Sequence, residues 1–297
     1  MKKKLLSLAM GAVMLMSLAL TGCGSKDTVT IGSKDFSENI ILGEILSQLI
    51  ENKTELKVER KLNMGGTFIN FEALKKGDID LYAEYTGTGL TAHLKMDVIT
   101  DPDEAYRVVS EEFTKQFDIS WMEPIGFNNT YAIAVTREAA EEYGLEKNSD
   151  LVGVSENLVF GAENEFFNRE DGFEGFCKLY GISFKGDPKM MNVSLKYQAI
   201  GNGDMDATDA YTTDAEIKKY DLQVLEDDLN FFPPYYAAPI VRNETLKNHP
   251  ELEGVLNSLA GQISNEEMTD LNYQVNVDQK PIEQVAKDFL SSKGLLD

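Results

Sequence analysis

The chain has 297 residues, and its 28 Lys and Arg against 50 Asp and Glu give a formal net charge of −22. Such a charge repels a phosphate backbone, so nucleic acid is a poor partner. Two cysteines and two histidines are too few for a disulfide framework, a cysteine-rich metal site or a histidine-based hydrolase. The composition therefore favours a binding protein, without catalytic residues, metal or cofactor, over an enzyme.

The first 22 residues are typical of an export signal. Three lysines precede an apolar run over residues 5–20, which is shorter than a comfortable membrane span. The sequence Leu-Thr-Gly-Cys at 20–23 resembles the lipobox of bacterial lipoproteins, which implies removal of residues 1–22 and lipid on Cys23. Residues 23–27 would then be a tether, and the acyl chains would hold the protein to the bacterial cell membrane outside the cytoplasm. A plain signal peptide with a chance cysteine is the alternative.

The rest of the chain alternates strand-like and helix-like segments, which predicts an α/β fold with layers around parallel strands. Ser37 is a candidate N-cap for the first helix. Cys177, beside Phe176 and Tyr180, is expected to be buried on an apolar helix face. The predicted segments are strands at 28–31, 56–62, 80–85 and 131–135, and helices at 37–49, 67–76 and 282–290.

One internal repeat is informative. Six residues recur at an offset of 126 positions: Ala73, Gly77, Asp78, Asp80, Tyr85 and Thr86 match Ala199, Gly203, Asp204, Asp206, Tyr211 and Thr212. Each copy predicts a helix end, a Gly-Asp turn, and a strand that ends in Tyr-Thr.

The repeat suggests that Tyr85 and Tyr211 face each other across a cleft, because ligands in open α/β sheets sit beyond the carboxyl ends of strands. A chance recurrence of a common helix–turn–strand unit is the alternative. The aspartates could also be a catalytic pair or calcium ligands, but their position before strands favours turn chemistry.

Six segments together resemble the substrate-binding proteins of osmoprotectant (glycine betaine/carnitine/choline) ABC transporters. They are IGSKDF at 31–36, GDIDLYAEYTGT at 77–88, NNTY at 128–131, FNREDG at 167–172, DAYTTD at 209–214 and FPPY at 232–235. The resemblance implies a two-lobed, type II-like periplasmic-binding-protein fold with two crossovers and the ligand in the interlobe cleft. Lobe I would comprise 28–128 and 234–297, and lobe II 129–233.

The resemblance also implies a binding site. A quaternary ammonium cannot donate a conventional hydrogen bond, so proteins hold it with aromatic faces. The cage would consist of Tyr85, Tyr131, Tyr211 and Tyr235, with the Asn129 backbone carbonyl facing the ammonium. A ligand carboxylate would be bound by Lys34, Thr88 and Arg169. Two buried cations without acidic partners would favour a zwitterionic betaine over choline by at least tenfold.

Several alternatives remain open at this stage. Arg169 could pair with Glu165 or Asp171, and Lys34 could be a solvated loop lysine. The ligand could be a betaine, carnitine, choline or a larger betaine such as ergothioneine, delivered to a permease with its ATPase. A secreted carboxylate-dependent enzyme would need an acid/base pair in the cleft. A sensor ectodomain would need a transmembrane segment or signalling domain, and the sequence shows neither after the leader.

Overall fold

The computed structural model describes residues 27–169 and 171–296, so the predicted leader and Cys23, the predicted lipidation site, lie outside the described residues. Within these ranges, ten strands form two five-stranded sheets, and each sheet is the centre of one lobe. The first sheet contains β1 (Thr28–Gly32), β2 (Lys57–Lys61), β3 (Leu81–Tyr85), β4 (Ile119–Trp121) and β10 (Ala237–Arg242). The second contains β5 (Tyr131–Thr136), β6 (Phe160–Glu163), β7 (Lys189–Met191), β8 (Ala207–Tyr211) and β9 (Leu222–Val224).

Both sheets are mixed, which corrects the expectation of parallel strands. The orders are β2-β1-β3-β10-β4 and β7-β6-β8-β5-β9. In the first sheet β10 runs antiparallel to both of its neighbours, and β5 does the same in the second. The reason is topological, because β5 and β10 are the strands that follow the chain's two passages between the sheets.

Helices cover the sheets and connect their strands. Three of the C-terminal helices pack on the first long helix, which places the end of the chain on lobe I. The helices are α1 (Ser37–Lys53), α2 (Thr67–Lys76), α3 (Pro102–Phe117), α4 (Arg137–Tyr143), α5 (Asn164–Asn168), α6 (Phe173–Tyr180), α7 (Val193–Gly201), α8 (Ala215–Lys219), α9 (Asn243–Asn248), α10 (Glu251–Asn257), α11 (Asn265–Asn276) and α12 (Ile282–Ser292). Short helical turns occupy Thr86–Thr88, Gly89–His93, Asn148–Leu151 and Ser155–Asn157.

The prediction of Ser37 as an N-cap was wrong. Helix α1 begins at Ser37, and the extended Phe36 precedes it without a side-chain cap. Asn39 organises this helix start instead, because its Oδ1 accepts from the Lys34 backbone N–H at 2.7 Å and its Nδ2 donates to the Ala83 carbonyl at 2.8 Å. Asn39 thereby fixes the loop after β1 to the end of β3.

The repeat is confirmed as a structural one. Gly77 and Gly203 end their helical segments with φ of 79° and 78°, a conformation that glycine adopts without steric cost. Asp80 then accepts a hydrogen bond from the Thr30 backbone N–H, and Asp206 from that of Val159, both at 2.8 Å. Both aspartates thus bond a backbone N–H of a distant segment, at β1 or just before β6, and not the local turn that the sequence suggested. The two copies end at corresponding points of β3 and β8.

Cys177 is only half-buried, although the sequence predicted a buried residue. Its helix α6 turns the neighbouring Phe176 fully into the core and leaves the thiol at the margin. Burial nonetheless raises the pKa of the Cys177 thiol to about 11, so it is protonated at neutral pH. Among residues 27–169 and 171–296, none of the helices is both long and apolar enough to cross a bilayer.

Candidate functional site

A small cavity of about 20 Å³ lies between the lobes, beside the ends of β3, β5 and β8. All eight site residues predicted from the sequence line it. They are Lys34, Tyr85, Thr88, Asn129, Tyr131, Arg169, Tyr211 and Tyr235. Phe36, Thr67 and Glu165 complete the wall.

The strand register brings the aromatic rings together. Tyr131 begins β5 directly opposite Tyr211, the last residue of β8, and their ring centroids are 4.7 Å apart. Tyr235 meets Tyr131 nearly edge-on, with centroids 5.6 Å apart and planes at 86°. Phe36 stacks on Tyr211 at 5.9 Å and lies 6.2 Å from Tyr85. Rings from both lobes therefore form one continuous aromatic surface.

Sequence reasoning did not identify Phe36 as a site residue. A usable signal was present, since Phe36 follows the carboxyl end of β1 as Tyr85 and Tyr211 mark the ends of their strands.

Carboxylates fix the orientation of three of the rings. Sequence reasoning named only Asp171 among these carboxylates, and only as a possible partner of Arg169. The Tyr85 hydroxyl donates to Glu38 Oε1 at 2.8 Å. The Tyr211 hydroxyl donates to Glu163, and that of Tyr235 to Asp171. Each of these hydroxyls has a buried carboxyl oxygen as its acceptor, so the rings are held in place by partners behind them.

Lys34 is buried and paired, which corrects the alternative of a solvated loop lysine. Its Nζ donates to Glu84 Oε1 at 2.6 Å and to Thr67 Oγ1 at 2.9 Å. Glu84 also accepts from Tyr82 at 2.8 Å and lies 3.1 Å from His93 Nε2. Burial alone would raise the pKa of Glu84, but Lys34 and His93 lower it to about 2.

Arg169 is also committed to a carboxylate. Its Nε and Nη2 donate to the two oxygens of Asp171 at 2.8 and 2.5 Å, a bidentate arrangement. Its Nη1 lies 3.3 Å from Thr88 Oγ1 and 3.6 Å from Glu165. The premise that two buried cations lack acidic partners was therefore wrong. Arg169 nevertheless keeps one nitrogen directed to the Thr88 side of the cavity.

Glu38 connects the cage to the lobe interface. Besides Tyr85, it accepts from Asn129 Nδ2 at 2.6 Å, Thr213 Oγ1 at 2.6 Å and Asn272 Nδ2 at 3.1 Å. Burial raises the pKa of Glu38 to about 7, although these hydrogen bonds oppose the rise. This carboxyl thus joins α1 of lobe I to the loop after β8 in lobe II.

Asn129 lies in the passage from the first sheet to the second. Its backbone N–H donates to the Tyr235 carbonyl at 3.0 Å, so the two passages between the lobes are bonded side by side. Its side-chain Oδ1 is buried and accepts no hydrogen bond from the described residues.

Two further buried tyrosines lie outside the site. Tyr82 and Tyr197 are buried outside the cavity wall and serve packing. No group of three His, Cys, Asp or Glu side chains within the described ranges could hold a metal ion.

Two lobes, each built on a mixed sheet, with an aromatic cavity at the strand ends between them, define a solute-binding protein of the two-lobed type II class. The chain matches the family of substrate binding domains of ABC-type glycine betaine transport systems over residues 27–292. It therefore belongs to that family, whose members bind solutes and are not enzymes.

Relatives and solved structures agree with this membership. The chain is 39% identical to the carnitine transport binding protein OpuCC of Listeria monocytogenes, over 100% of this chain and 99% of that protein. It is 42% identical over 90% of its length to the ergothioneine transport permease/ergothioneine binding protein EgtU of Helicobacter pylori (strain G27), but spans only 48% of that protein. A crystal structure of a glycine betaine/carnitine/choline ABC transporter shares 40% identity and a TM-score of 0.75, over 91% of this chain and 100% of that one.

Proposed function

We propose that the interlobe cavity captures a small solute with a quaternary ammonium head, and that Tyr85, Tyr131, Tyr211 and Tyr235 hold this head. The observation that carries the proposal is the convergence of these four rings, from both lobes, on one cavity. Each aromatic face contributes about 0.5–2 kcal/mol to holding a cation, so four contribute roughly 2–8 kcal/mol. Micromolar affinity needs about 8 kcal/mol, so further contacts must add to the cage.

The other end of the ligand would be a carboxylate bound by Lys34, Thr88 and Arg169. Thr88 and Arg169 Nη1 are already neighbours, and the Lys34 ammonium lies on the same cavity wall. Asn129 Oδ1, a buried acceptor without a hydrogen-bond partner in the described protein, supports a place for Asn129 beside the ammonium.

Selectivity between zwitterion and choline should be smaller than the sequence suggested. Lys34 and Arg169 each have a buried carboxylate partner, so choline leaves no uncompensated cation behind. We therefore expect any preference for betaines over choline to come from the direct carboxylate contacts alone, and not from relief of unpaired buried cations.

Ergothioneine is a second candidate, because it is a betaine with an added ring and one relative is named for it. The cage cavity shares Thr67 and Glu165 with an adjoining groove between the lobes, which Asn164 and Asn168 also line. This groove would receive the additional ring.

In the cell, the protein would act outside the cytoplasm and deliver its ligand to a permease driven by an ATPase, held to the membrane by lipid on Cys23. We place the lobe boundaries near 128–129 and 233–234, where the chain passes between the sheets. Ligand contacts from both lobes would favour the closed arrangement, which is a hinge motion about these two passages.

Isothermal titration of the lipid-free protein against glycine betaine, proline betaine, carnitine, choline and ergothioneine tests the proposal. At least one quaternary ammonium ligand should bind with micromolar or better affinity, and an equal concentration of glycine should show no heat of binding. Absence of binding to the whole panel would contradict the proposed function.

A further inference from the structure

Glu163 is a buried carboxylate immediately behind the cage. It ends β6 in lobe II, is 7% exposed, and accepts the hydroxyl of Tyr211. The Tyr211 and Tyr131 hydroxyl oxygens are 3.0 Å apart. Because the single hydroxyl hydrogen of Tyr211 is used on Glu163, the Tyr131 hydroxyl is left to donate to the Tyr211 oxygen. Two of the four cage rings are thus connected in series to one carboxylate.

The charges around Glu163 leave it without a cation of its own. Lys196, from α7, lies fully buried and donates to Asp209 of β8 at 2.8 Å, so that its single charge is matched there. The Glu163 backbone N–H also faces Asp209, at 3.3 Å from Oδ1. Burial raises the pKa of Glu163 to about 8; Lys196 opposes this rise, whereas Asp209 and the neighbouring Glu165 add to it. A cation inside the cage would supply the missing counter-charge.

We propose that Glu163 makes the cage selective for a cationic head group over a neutral group of the same shape, acting through Tyr211 and Tyr131. A carboxylate that accepts a phenol hydrogen pushes electron density toward the ring, and hydrogen bonds in series polarise one another. Electron-rich ring faces attract a cation more strongly, and a buried negative charge adds to this attraction because little water screens it. Glu163 does not touch the ligand, so it tunes the residues that do.

The test rests on the proposed function and compares two ligands of nearly identical shape. Glycine betaine carries a trimethylammonium head, whereas tert-butylacetate has a neutral carbon in place of the nitrogen. Both are titrated at about pH 8.5, where Glu163 is mostly ionised, into wild-type protein and Glu163→Gln. Glu163→Gln should weaken the binding of glycine betaine by about fivefold or more. It should leave the binding of tert-butylacetate unchanged or slightly tighter, because the negative charge of Glu163 no longer repels this anion.

A control is Asp221→Asn, which neutralises a carboxylate of lobe II that pairs with Arg137 at 3.1 Å and does not line the cavity. This control should change the ratio of the affinities for glycine betaine and tert-butylacetate by less than about twofold. Equal weakening of both ligands by Glu163→Gln would assign the residue a merely structural role and overturn the inference, as would an unchanged ratio.

The connection through the hydroxyls is tested by repeating Glu163→Gln in a Tyr211→Phe background. The effect on glycine betaine should largely disappear there, since the hydrogen-bond series is already broken. Additive effects would overturn the route through Tyr211. If wild-type protein bound neither glycine betaine nor any other trimethylammonium ligand, the proposed function itself would be contradicted. Tight wild-type binding with an affinity ratio that Glu163→Gln leaves unchanged would contradict only the role of Glu163.

Discussion

The two lobes bury their charges differently. In lobe I, Glu84 is matched by Lys34 and is bonded further by Tyr82 and His93, and Glu38 is the one buried acid with a raised pKa described there. In lobe II, Lys196 forms a salt bridge with Asp209, while Glu163 and Asp214 are further buried acids with raised pKa values. Lobe I therefore presents a cation whose charge is already compensated, and lobe II presents an excess of buried carboxyl groups behind Tyr211.

This difference matches the two ends of a zwitterion. Excess acid behind the rings favours the ammonium, while the paired Lys34 offers hydrogen bonds to a carboxylate without requiring one for its own stability. A site built this way tolerates ligands that lack the carboxylate, and its cation preference depends on lobe II. The predictions below test that division, beginning with the largest expected effect.

Replacing the buried Lys196 of lobe II should destabilise the fold more than replacing Lys34 of lobe I. Lys196→Met leaves Asp209 buried without its cation and in the presence of Glu163, which should lower the free energy of unfolding by about 3–5 kcal/mol. Lys34→Met should cost less, because Glu84 keeps His93 and Tyr82 as partners. Urea unfolding of the ligand-free variants near pH 7.5 measures the difference. A larger loss for Lys34→Met would contradict the contrast between the lobes.

Truncating a cage ring should weaken ligand binding by at least about tenfold, or about 1.4 kcal/mol, for each of Tyr85→Ala and Tyr211→Ala. Tyr211→Ala should have the larger effect because it also removes the hydroxyl that connects Tyr131 to Glu163. Titration with the best ligand of the panel measures both. Tyr143→Ala, on the remote helix α4, is the control, and an equal loss there would argue against the cage.

Acidity should stabilise the folded protein over a defined window. Burial raises the pKa of Glu38 to about 7, of Glu163 to about 8 and of Asp214 to about 6. Between roughly pH 4.5 and 8 the folded chain thus binds more protons than the unfolded chain, so the free energy of unfolding falls as pH rises. Glu84, whose pKa is lowered to about 2, acts oppositely and destabilises the fold as pH falls below about 4.5.

We therefore expect the melting temperature to be highest near pH 5 and to fall by several degrees toward about pH 8. Circular dichroism melts of ligand-free protein measure this, and Glu38→Gln should flatten the part between about pH 4.5 and 7. A melting temperature that rose steadily from pH 5 to 8 would be incompatible with buried, poorly compensated acids.

An exposed charge network provides the smallest expected effect. Arg107 bonds Glu104 and Glu111 on the surface of α3, at 2.6 and 2.8 Å, but all three side chains are largely exposed. Solvent screens such pairs, so Arg107→Ala should leave the urea midpoint and the ligand affinity unchanged within error. A clear loss of stability would mean that surface ion pairs, and not only the buried ones, contribute measurably to the stability of this protein.

Much of this architecture could be predicted because it depends on local pattern. Glycine turns, strand ends and the repeat at an offset of 126 residues gave the correct position of Tyr85 and Tyr211, and motif resemblance supplied Tyr131 and Tyr235. The mixed sheets were not predicted, since strand direction is set by which distant segment pairs with which.

The partners behind the site were also missed, for a physical reason. Glu38 and Thr213 are 175 residues apart, and Thr91 and Asp171 are 80 apart. A carboxylate in a helix or at a strand end is usually solvated, so only the folded arrangement reveals that it is buried against a phenol. The partner of Lys34 was missed in the same way, because Glu84 faces it from β3, 50 residues further along the chain.

The position of β10 has a consequence for how the chain is made. Every strand of lobe II lies within residues 131–224, whereas lobe I receives β10, from 237–242, between β3 and β4. Because synthesis proceeds from the N-terminus, lobe II can fold while the middle of the first sheet is still missing. A nascent or truncated chain that ends before 235 would carry three cage tyrosines beside open strand edges, which are prone to pair with other chains. The last strand to arrive thus completes the cage and protects the protein from aggregation at the same time.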